Sequence, residues 1–253
     1  VNLHGPYLHD GRANTLQEAI EWHGGEGTAS RKKWIIATED EKKSLIAFLQ
    51  TLGGEKIDRE NFILPSSDTP EFDEIGGPRR VLNQEENQKF TRGRQLFDRN
   101  FLQKDGRNDF FNAESCRACH QDPVIGGAGG TDVNVLVVGK KTQQLDVYTR
   151  SQILYRSSTS FKIPEHVSER DVIIEARQPI STLGSGYIDE ISDSTILQNA
   201  DEHDVDGDGI SGRPHILPDG RLGKFGWKAQ IPTLRDFVAD ALLQEIGITI
   251  DHN

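Results

Sequence analysis

Methionine is absent from this sequence of 253 residues, and cysteine occurs only twice. Two cysteines are too few for a disulfide framework, so the fold has to depend on a hydrophobic core, which a chain of this length can bury. No apolar run approaches the 18 or more residues of a membrane-spanning helix, and we expect no membrane span. Because the chain begins at Val1 and lacks methionine, we expect a processed form or a fragment.

Basic side chains are outnumbered by acidic ones. The 29 lysines and arginines face 40 aspartates and glutamates, which gives a net charge of -11. An acidic protein repels phosphate backbones, so we expect no nucleic-acid partner. The acidic residues form short clusters, and those at 39–41 are typical of a solvated surface.

The spacing of apolar residues predicts a mainly α-helical protein with a small β-containing insertion. Capping-box sequences at Thr15 and Thr38 begin two amphipathic helices within residues 1–54. Further helices are predicted at 85–102 and at 232–247. Short β-branched runs predict strands at 133–138, 145–148 and 172–174.

Proline and glycine are concentrated in residues 55–84, which lack sustained periodicity and are predicted to be a linker. This linker divides the chain into a helical segment, residues 1–54, and a larger domain, residues 85–253. Within the larger domain, residues 126–130 contain four glycines. We expect that run to be a flexible loop.

Both cysteines belong to the run Cys116-Arg117-Ala118-Cys119-His120. This Cys-x-x-Cys-His pattern is typical of covalent haem attachment, because two thiols one helical turn apart can reach both vinyl groups on one porphyrin edge. His120 would then be the proximal ligand of the iron. A dithiol redox site or half of a zinc site is the alternative. Since zinc would need a second cysteine pair and a thioredoxin-like site a βαβ setting, we predict one haem c.

The sixth iron ligand is open. Without methionine, His/Met coordination within this chain is excluded. A histidine, another side chain, water or an open position remains, and an open position would favour peroxide or thiol chemistry. The candidate distal ligands, each alternatively a plain loop histidine, are His166, His203 and His215.

A second motif lies in the acidic run 201–208. Asp204, Asp206 and Asp208 occupy positions 1, 3 and 5 of a calcium-type loop, with glycine at position 6 and the carbonyl of Ile210 at position 7. Position 12 is His215 rather than glutamate, so Asp201 or a distant carboxylate would have to replace the usual bidentate ligand. The pattern predicts calcium, and the alternative is a solvated Asp/Gly turn.

Three stretches in order, residues 111–120, 196–213 and 222–229, resemble the di-haem thiol oxidoreductase-like cytochromes, relatives of the bacterial di-haem cytochrome c peroxidases. The resemblance covers about residues 85–250 and implies a cytochrome c-like haem domain. Residues 5–12 and 22–26 resemble the end of the family's second haem domain, which normally follows a second haem motif. Here they precede the only motif, so we expect either a fragment spanning two family units or a rearranged protein.

These patterns favour a haem redox protein that exchanges electrons with a partner protein or a second haem domain, with a small-molecule substrate as an option. Whether it is an enzyme for thiol oxidation or peroxide reduction stays open. Candidate catalytic residues are Asp189, Glu190 and Trp227. A pure electron carrier and a non-haem calcium-binding module are the alternatives. Thioether attachment takes place outside the bacterial cytoplasm, so we expect a periplasmic or extracellular location.

Overall fold

The computed structural model describes residues 6–52, 68–140, 152–154 and 172–248. Within these ranges the protein is mainly helical with one small sheet, as the sequence predicts. The helices are α1 Leu16–Trp22, α2 Thr28–Ile36, α3 Glu39–Thr51, α4 Gln84–Asp98, α5 Ser185–Glu190, α6 Asp193–Gln198 and α7 Leu234–Ala241. None of the helices in these ranges is long and apolar enough to cross a membrane.

The chain forms two compact units, each built from two separate stretches. The first unit combines residues 1–57 with 184–238, and the second combines residues 58–183 with 239–253. Residues 55–67 of the predicted linker lie outside the described residues, and residues 68–84 lie within them. Each unit is described by itself below.

Helices α1 to α3 form the N-terminal part of the first unit. Thr15 caps α1, and Thr38 forms a complete capping box with Glu41 at the start of α3, as predicted. The sequence pattern does not reveal α2, since one buried residue, Trp34, is its whole contribution to the core. The apolar stripe of α3 is only partly covered, and Phe48 on it is exposed.

The remainder of the first unit contains α5, α6 and three isolated β-bridges, which join Asp201 to Gly212, Ile216 to Leu222 and Phe225 to Ile231. Phe225 is buried, and the centroid of its ring lies 6.1 Å from that of Phe237 on α7. Leu222 is also buried.

The second unit contains α4 and an antiparallel sheet with strand order β2-β1-β3. The strands are β1 Val135–Lys140, β2 Gln152–Leu154 and β3 Val172–Arg177, with Leu136 opposite Leu154 and Val135 opposite Arg177. The strands predicted at 133–138 and 172–174 are confirmed. The one predicted at 145–148 lies outside the described residues, and β2 was not predicted.

The C-terminal end of the described chain holds the loop that leads to the cysteine motif. Helix α7 continues into a π-helical turn, Leu242–Ile246, which ends at Gly247 in the left-handed conformation. The N–H of Asn108 donates to the carbonyl of Gly247 at 2.9 Å, and the side chain of Asn112 donates to the Glu245 carboxylate at 2.7 Å. These bonds fix residues 108–112 a few positions before the motif.

Candidate functional site

Residues 116–120 form a single helical turn directly after the buried Ser115, whose side chain is 3% exposed. The N–H of Cys119 donates to the carbonyl of Cys116 at 3.2 Å, and the N–H of His120 donates to the same carbonyl at 3.0 Å. Both cysteines are free thiols. The turn therefore carries two thiols and one imidazole at positions 116, 119 and 120.

Helix α4 supports this turn from the N-terminal side. The N–H of Arg117 donates to the carbonyl of Phe97 at 3.2 Å, and the Arg117 guanidinium pairs with Asp98 at 2.5 Å. The Phe97 ring meets the His120 ring edge to face, with their centroids 6.2 Å apart. The last turn of α4 thus fixes both the backbone of the motif and one side of the imidazole.

The Nδ1 atom of His120 lies 3.2 Å from the carbonyl oxygen of Gly127. A carbonyl oxygen only accepts, so in this bond Nδ1 carries the proton, and in the neutral ring Nε2 then keeps its lone pair. That tautomer is the one a metal-binding imidazole needs, and a backbone carbonyl at Nδ1 is a common way to fix it. The backbone of Ile180 also hydrogen-bonds the ring. Burial lowers the pKa of His120, which also favours the neutral ring. Burial raises the pKa of the Cys116 thiol.

The glycine-rich run packs against the motif instead of standing in solvent. Residues 125–129 are all buried, and the N–H of Gly126 donates to the carbonyl of His120 at 2.9 Å. Gly126 has a φ of +94°, which glycine adopts without strain. A Cβ atom on Gly129 would collide with the carbonyl oxygen of Cys119. The expectation of a flexible loop is therefore wrong, because close backbone contact explains these glycines.

The acidic loop of the first unit brings together three carboxylates. One oxygen each from Asp201, Asp204 and Asp206 lies within 4.8 Å of the other two. Asp208 is outside this trio, and its carboxylate accepts the N–H of Ile210 at 2.7 Å. Asp201, which the sequence analysis names as a substitute for the position-12 ligand, belongs to this trio.

The predicted distal histidines are spread over the chain. His166 lies outside the described residues. His203 and His215 are exposed in the first unit, and the Nδ1 atom of His215 lies 2.7 Å from the Lys228 carbonyl oxygen. His120 belongs to the second unit.

The candidate catalytic residues also lie in the first unit. The Asp189 carboxylate accepts the N–H of Leu234 at 2.9 Å and so caps the start of α7. Glu190 is exposed at the end of α5. Trp227 is 43% exposed, and its ring lies edge-on to that of His9 with the centroids 6.0 Å apart. The described contacts of Asp189 are those of a structural cap.

Comparison with protein families finds a match to the model described as di-haem oxidoreductase, putative peroxidase, over residues 1–52 and 146–252. The cysteine motif lies between the two matched stretches. Comparisons with curated proteins and with solved structures return no match. Since the matched stretches make up more than half of the chain, it belongs to the di-haem oxidoreductase family, which implies a haem cofactor.

Proposed function

We propose that this chain is a c-type haem redox protein in which Cys116 and Cys119 hold the porphyrin covalently and His120 binds the iron. The observation that carries the proposal is the environment of His120. Its Nδ1 proton is held by the Gly127 carbonyl, and two free thiols precede it within one turn. A zinc site would need more ligands, and among the described residues no cluster of three or more His, Cys, Asp or Glu side chains includes this turn.

The three side chains have separate tasks in this proposal. Cys116 and Cys119 would hold the porphyrin through thioether bonds, each made by adding one S–H group across one vinyl group. His120 would bind the iron through Nε2, and the Gly127 carbonyl and the Phe97 ring orient its imidazole. Bound haem supplies one-electron oxidation and reduction. The second unit would then be a cytochrome c-like domain, with the sheet β1–β3 as its insertion.

The proposed activity is that of a di-haem oxidoreductase of the thiol-oxidising or peroxide-reducing kind, working with a partner protein or a second haem domain. A sixth ligand from His166, His203 or His215 would make a pure electron carrier instead. We place the protein in the periplasm or outside the cell, since thioether attachment takes place there.

The test is expression of the chain together with a haem-attachment system, beside variants Cys116→Ser and Cys119→Ser. We expect a Soret band and the mass of haem on the peptide that contains Cys116, each reduced or lost in the serine variants. A ferric spectrum with a high-spin component that shifts on adding peroxide or a thiol would support the oxidoreductase. A low-spin spectrum that does not change on adding peroxide or a thiol would support the electron carrier. A wild-type chain without haem absorbance would refute the haem proposal.

We also propose that the acidic loop holds calcium through Asp201, Asp204 and Asp206. Three carboxylates this close repel each other unless a cation lies between them, and oxygen is the ligand atom that calcium prefers. Calcium at about 100 times its dissociation constant should stabilise the chain by about 2.7 kcal/mol. The thermal midpoint of Asp204→Asn should not respond. An equal response of both proteins would refute the site.

A further inference from the structure

The glycine-rich run 126–130, here called the glycine loop, is held in place by a second segment of the chain. Residues 178–183, here called the clamp segment, follow β3 directly. The Gln178 side chain is 8% exposed and donates to the Gly129 carbonyl at 2.9 Å. The Thr182 hydroxyl and the Thr182 N–H both donate to the Gly126 carbonyl, at 2.7 and 2.8 Å. The N–H of Gly129 donates in return to the Pro179 carbonyl at 2.9 Å. Hydrogen bonds therefore fix the glycine loop at Gly126 and at Gly129.

Gly127, between those two residues, contacts the imidazole, and so does the backbone of Ile180 in the clamp segment. Gly127 follows Gly126 and precedes Gly129 by two positions, and its carbonyl accepts the Nδ1 proton of His120. The next N–H along the loop, that of Ala128, donates to the Asp122 carbonyl at 2.7 Å. Because this N–H shares a peptide group with the Gly127 carbonyl, its bond polarises that carbonyl and strengthens it as an acceptor.

We propose that Gln178 and Thr182 are positioning residues that set the strength of the His120–Gly127 hydrogen bond and thereby the reduction potential of the iron that His120 binds. The inference rests on the proposed haem function. A firm acceptor at Nδ1 makes the imidazole a more basic ligand, which stabilises ferric over ferrous iron. Without the clamp the Gly127 carbonyl is free to move away from the ring, and the potential should rise.

Each variant that removes a clamp bond is compared with a control variant. Thr182→Val removes the hydroxyl at nearly constant volume, whereas Thr182→Ser keeps it. Gln178→Leu removes the donor of the second clamp bond. Gln103→Leu makes the same change at an exposed glutamine of the second unit, whose side chain donates to Asp109 at 3.0 Å, away from the loop.

The measurement is the reduction potential of the haem-loaded full chain, by spectroelectrochemistry. We expect Thr182→Val and Gln178→Leu each to shift the ferric–ferrous equilibrium toward ferrous about threefold to tenfold, where tenfold corresponds to about 59 mV for one electron. Thr182→Ser and Gln103→Leu should stay within about twofold of wild type. A clamp that only stabilises the fold would lower the thermal midpoint and leave the potential unmoved.

The outcomes distinguish a failure of the proposed haem function from a failure of the positioning role alone. A wild-type chain that takes up no haem would overturn the proposed function and this inference with it. A haem-loaded wild type whose potential Thr182→Val does not move would overturn the inference alone. If Gln178→Leu fails to fold, the Thr182 pair decides, because valine and serine each differ from threonine by one small group. Faster exchange of the His120 Nδ1 proton in haem-free Thr182→Val, measured by NMR, would support the positioning role independently of the potential.

Discussion

Replacing Gly129 by alanine tests the packing of the glycine loop against the cysteine motif. The added Cβ would collide with the Cys119 carbonyl oxygen, lie 2.7 Å from Cγ2 of Val133 and lie 3.2 Å from Cβ of Pro179. The φ angle of Gly129 lies outside the left-handed region, so alanine fits the backbone conformation. Steric overlap therefore accounts for the whole expected loss in the free energy of unfolding.

The size of the penalty follows from which neighbours have to move. Overpacking a buried site by one methyl group costs about 1–3 kcal/mol. Cys119 and Pro179 meet the new atom with a backbone oxygen and a ring carbon, neither of which can rotate away. We therefore expect Gly129→Ala to lower the free energy of unfolding by about 2–3 kcal/mol. It should also reduce the haem bound per chain, since the loop would be pushed off the motif.

The matched control is Gly93→Ala. Gly93 lies exposed within α4, and nothing lies within 4 Å of the Cβ it would gain. The same methyl group should stabilise the protein there by about 0.5–1 kcal/mol, because glycine is a poor helix residue. Urea unfolding followed by circular dichroism gives both values, and the haem absorbance per chain gives the loading. A Gly129→Ala protein as stable and as fully loaded as wild type would refute the packing described here.

Three further predictions concern stability. Phe225→Ala, at a side chain 7% exposed, should cost about 3–5 kcal/mol in urea unfolding, and Phe48→Ala at an exposed site much less; equal costs would contradict the core assignment. Thr38→Ala should cost about 1 kcal/mol through loss of the α3 cap, and Thr38→Ser should restore it. The Arg80 guanidinium lowers the pKa of Glu86 to about 2, so its contribution to stability should be complete above its ordinary pKa of 4.5 and disappear as the pH falls toward 2. NMR titration of the Glu86 carboxyl near pH 4.5 would contradict that pair.

Capping residues and apolar periodicity predict the helices whose limits depend on bonds between residues close in sequence. The capping residue Thr38 marks the start of α3, and the periodicity before residue 98 marks α4. The predicted extension of α4 to residue 102 is wrong for a tertiary reason. The N–H of Phe101 donates to the Glu114 carbonyl at 2.7 Å, which draws the chain out of the helix toward the motif. A contact of that kind leaves no periodic trace in the sequence.

The candidate site likewise has a part that the sequence predicts and a part that it does not. Cys116, Cys119 and His120 are neighbours in sequence, and their spacing alone predicts the chemistry. The groups that orient His120 are distant in sequence or carry no distinctive side chain. Gly127 contributes only a backbone carbonyl, and Thr182 lies 56 residues beyond the glycine it contacts. A polar glutamine next to a strand, such as Gln178, is typical of a surface and gives no sign that it will be buried.

Two observations point to haem, and the cysteine motif itself lies outside the residues of the family match. The family match rests on residues 1–52 and 146–252 and therefore owes nothing to the cysteine motif. The contacts of His120 with Phe97 and Gly127 lie within residues 97–129, and residues 178–183 and 245–247 of the matched stretch hold the neighbouring loops in place. A chance Cys-x-x-Cys-His run would have no reason to lie inside a chain of a di-haem family, nor to have its histidine held at Nδ1 by a buried carbonyl. The agreement between the two is the strongest reason to measure haem attachment before any substrate is tried.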